Sequence, residues 1–97
     1  MAWIIDGVEG ILVGINTEEI KSVMAVEQNA GKGKRRVEVI LAYKDEIKRE
    51  IFARETTAKL ENVFEVLMNV IRAGKDVVIT FDDIIERAEL MSKRGEK

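Results

Sequence analysis

Residues 57–73 carry apolar side chains at the spacing of an α-helix, and this segment constrains the fold more than any other. The apolar positions are Leu60, Val63, Phe64, Val66, Leu67, Met68, Val70 and Ile71. On a helix they cover about 200° of the circumference, whereas a simple surface helix has an apolar stripe of roughly 100°. Thr56 or Thr57 fits the N-cap, and Gly74 fits the residue that ends the helix. The helix therefore needs cover on more than one flank, either from the C-terminal segment or from a second copy of the chain.

An alternation of apolar and polar residues just before this helix predicts a β-hairpin. The apolar positions are Val37, Val39, Leu41 and Tyr43 on the first strand and Ile47, Ile51 and Ala53 on the second. A three-residue connection at 44–46 gives a register that pairs Tyr43 with Ile47, Val39 with Ile51, and Val37 with Ala53. This register gathers the apolar side chains on one face of the hairpin.

The same register fills the opposite face of the hairpin with basic residues. Arg36 would lie beside Arg54, with Lys48 and Phe52 on the same face. The two arginines would repel each other, which is tolerable in solvent and useful against an anion. An aromatic ring among basic residues on a strand face is an arrangement that single-strand nucleic-acid binders use. The alternative is that Trp3 and Tyr43 belong to the core and Phe52 packs under a neighbouring segment.

The N-terminal third of the chain predicts further strands. Residues 2–5 and 10–15 are typical of two short strands around a turn at Asp6–Gly7. Residues 17–29 fit two structures: a helix capped by Asn16 or Thr17, or a strand over 20–27. We favour the strand, because the β-rich neighbours on both sides need a pairing partner. Residues 29–34, with two glycines and two lysines, are predicted to form a loop.

The C-terminal segment predicts a short strand at 76–80 followed by a helix from 82 to 91. Thr80 and Asp83 have the spacing of a capping box at the start of this helix. The expected fold class is therefore α+β. An antiparallel sheet of about five short strands would pack against the long helix 57–73, followed by the short strand and the C-terminal helix. With 97 residues the chain is expected to be a single domain, 1–97.

The composition excludes several kinds of chemistry. The chain has no cysteine, histidine or proline, so it has no disulfide, no thiolate zinc site and no histidine general base. The densest acidic group, Asp82, Asp83 and Glu86, is explained by the helix dipole rather than by a metal. We expect no catalytic residues, no metal and no cofactor, and therefore no enzyme activity.

Charged residues make up 35% of the chain, which is typical of proteins stabilised by ion pairs at high temperature. The N-terminus lacks the pattern of a signal peptide, and no stretch approaches the ~20 apolar residues of a membrane span. The sequence therefore predicts a thermophile-like, cytoplasmic protein with no membrane partner.

The net charge of −2 is distributed unevenly along the chain. Residues 1–31 have five acidic residues against Lys21, whereas residues 32–54 have eight basic against four acidic residues. The block 32–54 is the chain's basic region, although an acidic protein overall is a poor candidate for tight duplex binding.

Two functions follow from these patterns. The first is a non-catalytic interaction or assembly domain, a homo-oligomer or the binder of a protein partner, with an interface at Val66, Met68 and Val70. The alternative is a single-stranded nucleic-acid-binding domain that uses the basic hairpin 32–54. Its predicted binding residues are Lys32, Lys34, Arg35, Arg36, Lys48, Phe52 and Arg54.

Overall fold

The computed structural model describes residues 2–8, 10–45, 49–73 and 76–95. Over these ranges the chain is α+β, with two three-stranded sheets and two helices. The elements are β1 (Ala2–Val8), β2 (Ile11–Asn16), β3 (Ile20–Gly31), β4 (Lys34–Tyr43), β5 (Arg49–Thr56), α1 (Leu60–Arg72), β6 (Val77–Thr80) and α2 (Phe81–Gly95). The predicted single sheet of about five strands packed by one long helix is therefore wrong.

The first sheet has the strand order β2-β1-β6. β1 pairs with β2 in antiparallel fashion and with β6 in parallel. The predicted turn at Asp6–Gly7 is wrong, because both residues lie inside β1 and the hairpin instead joins Val8 to Ile11. Gly10 in this connection has a φ of 83°, a conformation that glycine adopts without steric cost.

The second sheet is an antiparallel meander in the order β3-β4-β5. The predicted strand over 20–27 is confirmed, and it continues to Gly31. The predicted loop 29–34 is therefore too long, since the β3–β4 turn comprises Lys32 and Gly33. Positive φ angles at Gly31, Lys32 and Gly33 make this turn tight enough for both strands to extend up to it.

A short 3₁₀-helix, Thr17–Glu19, separates the two sheets. The side chain of Asn16 caps it by accepting a hydrogen bond from the backbone N–H of Glu18 at 3.0 Å. This turn redirects the chain between β2 and β3, so the two strands join different sheets. The place beside β1 goes to β6 from the far end of the chain, where Ala2 pairs with Val77.

The predicted register of the 37–53 hairpin is wrong by one residue. Val39 pairs with Phe52 and Val37 with Arg54. Because side chains alternate between the faces of a strand, this shift turns every β5 side chain to the opposite face. Phe52 is consequently 3% exposed in the core, while Ile51 is 60% exposed.

The expected three-residue connection at 44–46 lies partly outside the described residues. β4 ends at Tyr43 and β5 begins at Arg49, and the last described pair, Ala42 with Arg49, already has the shifted register. The predicted pair Tyr43–Ile47 involves a residue that lies outside the described part of the chain.

The two helices cover one another and the inner faces of both sheets. α1 begins at Leu60 rather than at residue 57, because Thr56 still belongs to β5. Its wide apolar arc packs against α2 on one flank and β3 on the other. The capping of α2 is confirmed, since the Thr80 hydroxyl accepts a hydrogen bond from the backbone N–H of Asp83 at 3.1 Å.

The core lies between the sheets and the helices. Its largest fully buried side chains include Ile4, Ile15, Leu41, Leu67, Phe81 and Ile84. Neither described helix has the length and apolar character that crossing a bilayer requires.

Candidate functional site

Arg54, predicted to contact phosphate, is held inside an ion-pair network. Its guanidinium donates to Oδ1 of Asp82 at 2.9 Å, to Oδ1 of Asp6, and to the carbonyl of Ala53 at 2.8 Å. It also lies 5.3 Å from the centroid of the Phe81 ring. Burial lowers the pKa of Arg54, but the hydrogen bonds to Asp82 and Asp6 outweigh it and raise the pKa. These contacts join the two sheets and the start of α2.

Phe52, predicted to stack on bases, packs against the core. Its ring centroid lies 5.1 Å from that of Phe81, with the two planes tilted by 47°. This tilted contact is one that aromatic pairs in protein cores favour. The aromatic ring on which single-strand binding was predicted therefore faces away from solvent.

The remaining basic residues lie on the β3–β4 hairpin, whose end is solvent-exposed. Arg35 forms an ion pair with Glu27 at 3.1 Å, and Arg36 forms one with Glu38 at 3.5 Å. Among the described residues, neither Lys32 nor Lys34 has an ion-pair partner. We call residues 27–36 the hairpin arm, because nine of these ten residues are exposed and the tenth, Arg35, is half-buried. Lys48 lies outside the described residues.

The predicted interface residues separate into two groups. Val66 and Val70 are buried and line a groove between α1, β6 and α2, whereas Met68 is half-buried and is not among the residues lining it. The C-terminal segment thus supplies part of the cover that the sequence predicted for α1.

The groove has a volume of about 410 Å³ and mostly apolar walls. The apolar lining comes mainly from Val66, Val70, Val77, Ile79, Leu90 and Met91. Its charged lining residues are Arg87 and Arg94, which both come from α2. In the described part of the chain neither guanidinium has an ion-pair partner.

The outer face of the first sheet is a feature that the sequence analysis missed. The pairing registers place eight residues on it, and we call this the uncharged face: Trp3, Ile5, Gly7, Leu12, Gly14, Asn16, Val78 and Thr80. None of the eight is charged, in a chain that is 35% charged. Leu12 is 81% exposed, so this apolar surface is open to solvent.

Two glycines allow the large side chains of the uncharged face to lie flat. A Cβ at Gly14 would meet Cδ1 of Ile5 at 3.1 Å and the Trp3 ring at 3.6 Å. A Cβ at Gly7 would meet Cδ2 of Leu12 at 3.0 Å. The side chains therefore fold across the glycines, and the face is smooth rather than ridged.

The edge of the same sheet is also unprotected. β2 has no strand neighbour on its outer side among the described residues, and its sequence, Ile-Leu-Val-Gly-Ile-Asn, contains no charge and no proline. Edge strands of natural sheets are usually blunted by charges, proline, bulges or short length. The lack of charge in ILVGIN was visible in the sequence, but its position at an edge was not.

Three surfaces thus remain as candidates for binding: the hairpin arm, the groove, and the uncharged face with its β2 edge. Among the described residues, no group of three or more acidic side chains is arranged to hold a metal ion. Comparisons with protein-family models, with curated proteins and with solved structures gave no significant match. What these surfaces bind is therefore inferred from the residues of this chain alone.

Proposed function

We propose that the chain is a non-catalytic assembly domain that pairs with a second copy of itself along the free edge of β2. The observation that carries this proposal is an apolar, uncharged edge strand on a sheet whose outer face is also uncharged. An edge strand presents backbone N–H and C=O groups without partners, and another strand satisfies them.

The other strand edges carry protection that β2 lacks. β3 has Lys21 and Glu27 along its length, and β5 has Arg49, Glu50 and Glu55. β6 is four residues long and leads directly into α2. Charges and short length are common means of preventing edge pairing, so β2 is the described edge best suited to accept a further strand.

A second copy is the occupant that the chemistry favours. Pairing about a two-fold axis brings the same strand from each copy together in antiparallel orientation, and an uncharged strand meets its own image without repulsion. The β2-β1-β6 sheets of the two copies would then form one continuous six-stranded sheet. Trp3, Leu12 and Val78 of both copies would lie on one face of that sheet, which extends the apolar surface shared by the dimer.

Light scattering coupled to size-exclusion chromatography tests the assembly over a range of protein concentrations. The wild-type chain should elute as a dimer, and Leu12→Lys should shift it towards the monomer. Ile51→Lys is the matched control, because Ile51 is also an exposed strand residue but lies on the other sheet. A wild-type protein that is monomeric at every concentration, or an equal effect of both variants, would overturn the proposal.

Nucleic-acid binding through the hairpin arm is a second candidate function. The supporting observation is that Lys32 and Lys34 lie at an exposed, glycine-flanked turn without ion-pair partners among the described residues. Residues 27–36 contain no aromatic side chain, so single-strand binding here would depend on phosphate contacts rather than on stacking.

Fluorescence anisotropy with labelled single- and double-stranded oligonucleotides tests this second function. Single-strand binding should weaken steeply between about 50 and 200 mM salt, because phosphate contacts release counterions. Lys32→Glu with Lys34→Glu should abolish binding, whereas Lys44→Glu with Lys93→Glu makes the same charge change away from the arm. Absence of binding at the lower salt concentration would rule the arm out as a nucleic-acid site.

The thermophilic source and the cytoplasmic location of the protein are also proposals. The high charge content and the absence of cysteine support a thermophilic source, because ion-pair networks and few thermolabile residues favour stability at high temperature. The absence of proline runs against it, since thermophilic proteins tend to have more proline in their loops. A melting temperature above about 65 °C, the upper end for mesophilic domains, would agree with it, and a lower value would contradict it. The cytoplasmic location stays a prediction from the sequence.

A further inference from the structure

The groove between α1 and α2 combines an apolar lining with two solvent-exposed arginines. Val66 and Val70 of α1 are buried and line it together with Leu90 and Met91 of α2. Arg87 and Arg94 supply its charge, so the groove is cationic although the whole chain carries a net charge of −2. An occupant that complements this surface is apolar along its centre and anionic at its edges.

The spacing of the two arginines indicates the length of the occupant. Arg87 and Arg94 are seven residues apart on α2, which places them on the same side of the helix about 10 Å apart along its axis. A helix laid against the groove presents side chains at the same seven-residue spacing. Two carboxylates on such a helix can therefore reach both guanidiniums, while the apolar residues between them contact Leu90 and Met91.

The openness of the groove favours a peptide over a small molecule. Leu90 of α2 is 53% exposed, and Val77 of β6, which also lines the groove, is exposed as well. Sites for small ligands enclose most of the ligand surface, which walls this exposed cannot do. A helix docked in a groove buries one face and leaves the other in solvent.

We propose that this groove binds an acidic amphipathic helix of a partner protein. Its apolar residues contact Val70, Leu90 and Met91, and its carboxylates pair with Arg87 and Arg94. This site is separate from the β2 edge, since none of these groove residues belongs to the uncharged face. The groove would bring a different protein to an assembly of this chain.

A pair of synthetic peptides provides the probe. The first has leucines at helical spacing and glutamates seven residues apart on the flank of the apolar stripe, and the second has lysines in place of these glutamates. Anisotropy of the labelled peptides should show binding of the glutamate peptide and none of the lysine peptide. Equal binding of both, or binding of neither, would overturn the proposal.

Variants of the protein locate the binding. Arg87→Glu and Arg94→Glu should each weaken the glutamate peptide about tenfold. Lys93→Glu, the same charge change on α2 outside the groove lining, should have no effect. Leu90→Gln should also weaken binding of the glutamate peptide. The folded state tolerates this substitution, because the Leu90 side chain is half in solvent.

Measurements on the Leu12→Lys variant separate this proposal from self-assembly. The monomeric variant should bind the glutamate peptide as tightly as the wild-type chain does. If Arg87→Glu instead changes the mass of the wild-type assembly in light scattering, the groove holds a second copy of this chain and the peptide proposal fails.

Discussion

Arg54 on β5 forms an ion pair with Asp6 on β1, and this contact joins an edge strand of one sheet to the central strand of the other. Asp6 is 6% exposed, so Arg54 neutralises a carboxylate that water barely reaches. The second partner of Arg54, Asp82, is largely in solvent. The Arg54–Asp6 pair therefore contributes more to the free energy of folding than the Arg54–Asp82 pair does.

Replacing Arg54 by methionine should lower the free energy of unfolding by about 2–4 kcal/mol, because it leaves the Asp6 carboxylate buried without its partner. Chemical denaturation measures the change. Arg49→Met provides the control, since Arg49 is an exposed residue of the same strand. Asp82→Asn should cost at most about 1 kcal/mol, as is usual for exposed pairs. Similar losses for Arg54→Met and Arg49→Met would contradict the structural role of the Arg54–Asp6 pair.

The β4–β5 register predicts opposite outcomes at two neighbouring positions. Phe52→Ala should lower the free energy of unfolding by about 3–5 kcal/mol, because it opens a cavity beside Phe81. Ile51→Ala should change it by no more than about 0.5 kcal/mol, as its side chain is in solvent. The register expected from sequence gives the reverse order, so denaturant titration of the two variants distinguishes them.

Ser92 of α2 supports the N-terminus of α1. Its hydroxyl accepts hydrogen bonds from the backbone N–H of Lys59 and from Nδ2 of Asn62, both at 2.8 Å, and donates to the carbonyl of Ala88 at 2.9 Å. Lys59 is the N-cap residue of α1 and makes no side-chain cap of its own. The free N–H groups at this helix end are thus partly satisfied by a residue from the other helix.

Ser92→Ala should therefore lower the free energy of unfolding by about 1–3 kcal/mol, since it leaves the partly buried donors of Lys59 and Asn62 without their acceptor. Thermal and chemical denaturation followed by circular dichroism measure the loss. Ser22→Ala makes the same change at an exposed position on β3 and should stay within about 0.5 kcal/mol of wild type. If Ser92→Ala is as stable as Ser22→Ala, water replaces the Ser92 hydroxyl as the acceptor and the predicted support of α1 is wrong.

Tyr43 predicts a dependence of stability on alkaline pH. Burial raises its pKa above the ordinary 10.0, and the negative charges of Glu50 and Asp45 raise it further. The folded state therefore holds the phenolic proton more tightly than the unfolded chain does. The contribution of Tyr43 to stability is complete below pH 10.0 and is lost as the pH rises through the raised pKa of the folded state.

Ultraviolet titration measures this pKa directly, because Tyr43 is the only tyrosine of the chain. Glu50→Gln should move the pKa back towards its ordinary value, whereas Glu55→Gln on the same strand should leave it in place. A Tyr43 pKa at or below 10.0 in the folded wild-type protein would refute the prediction.

Local patterns in the sequence predicted much of the secondary structure but not the arrangement of strands. The strand at 20–27, the cap at Thr80 and the apolar arc of α1 follow from periodicity and capping over a few neighbouring residues. The pairing of Ala2 with Val77 joins distant segments, and no local pattern contains that information. Local patterns therefore could not show that the strands form two sheets rather than one.

The candidate surfaces were harder to predict, because each depends on register or topology. A shift of one residue in β5 moved Phe52 from a basic face into the core and placed Arg54 against Asp6. The lack of charge in β2 matters because β2 is an edge strand, and it is one because β3 joins the other sheet and β6 pairs with β1 rather than with β2. The arginines of the groove were present in the sequence, but its apolar lining is formed by three separate elements.

The parallel pairing of β1 with β6 also affects the time course of folding. The segment between these strands contains the whole of the second sheet and α1, and closing so long a loop is entropically costly. The β1–β2 hairpin and the β3–β5 meander require only neighbouring segments, so we expect them to form first and the β1–β6 ladder to form in the slowest step. During synthesis on the ribosome, β1 would accordingly wait with one edge free until residues 77–80 emerge. Pulsed hydrogen exchange should then show protection of the β4 amides before protection of the amides that pair β1 with β6.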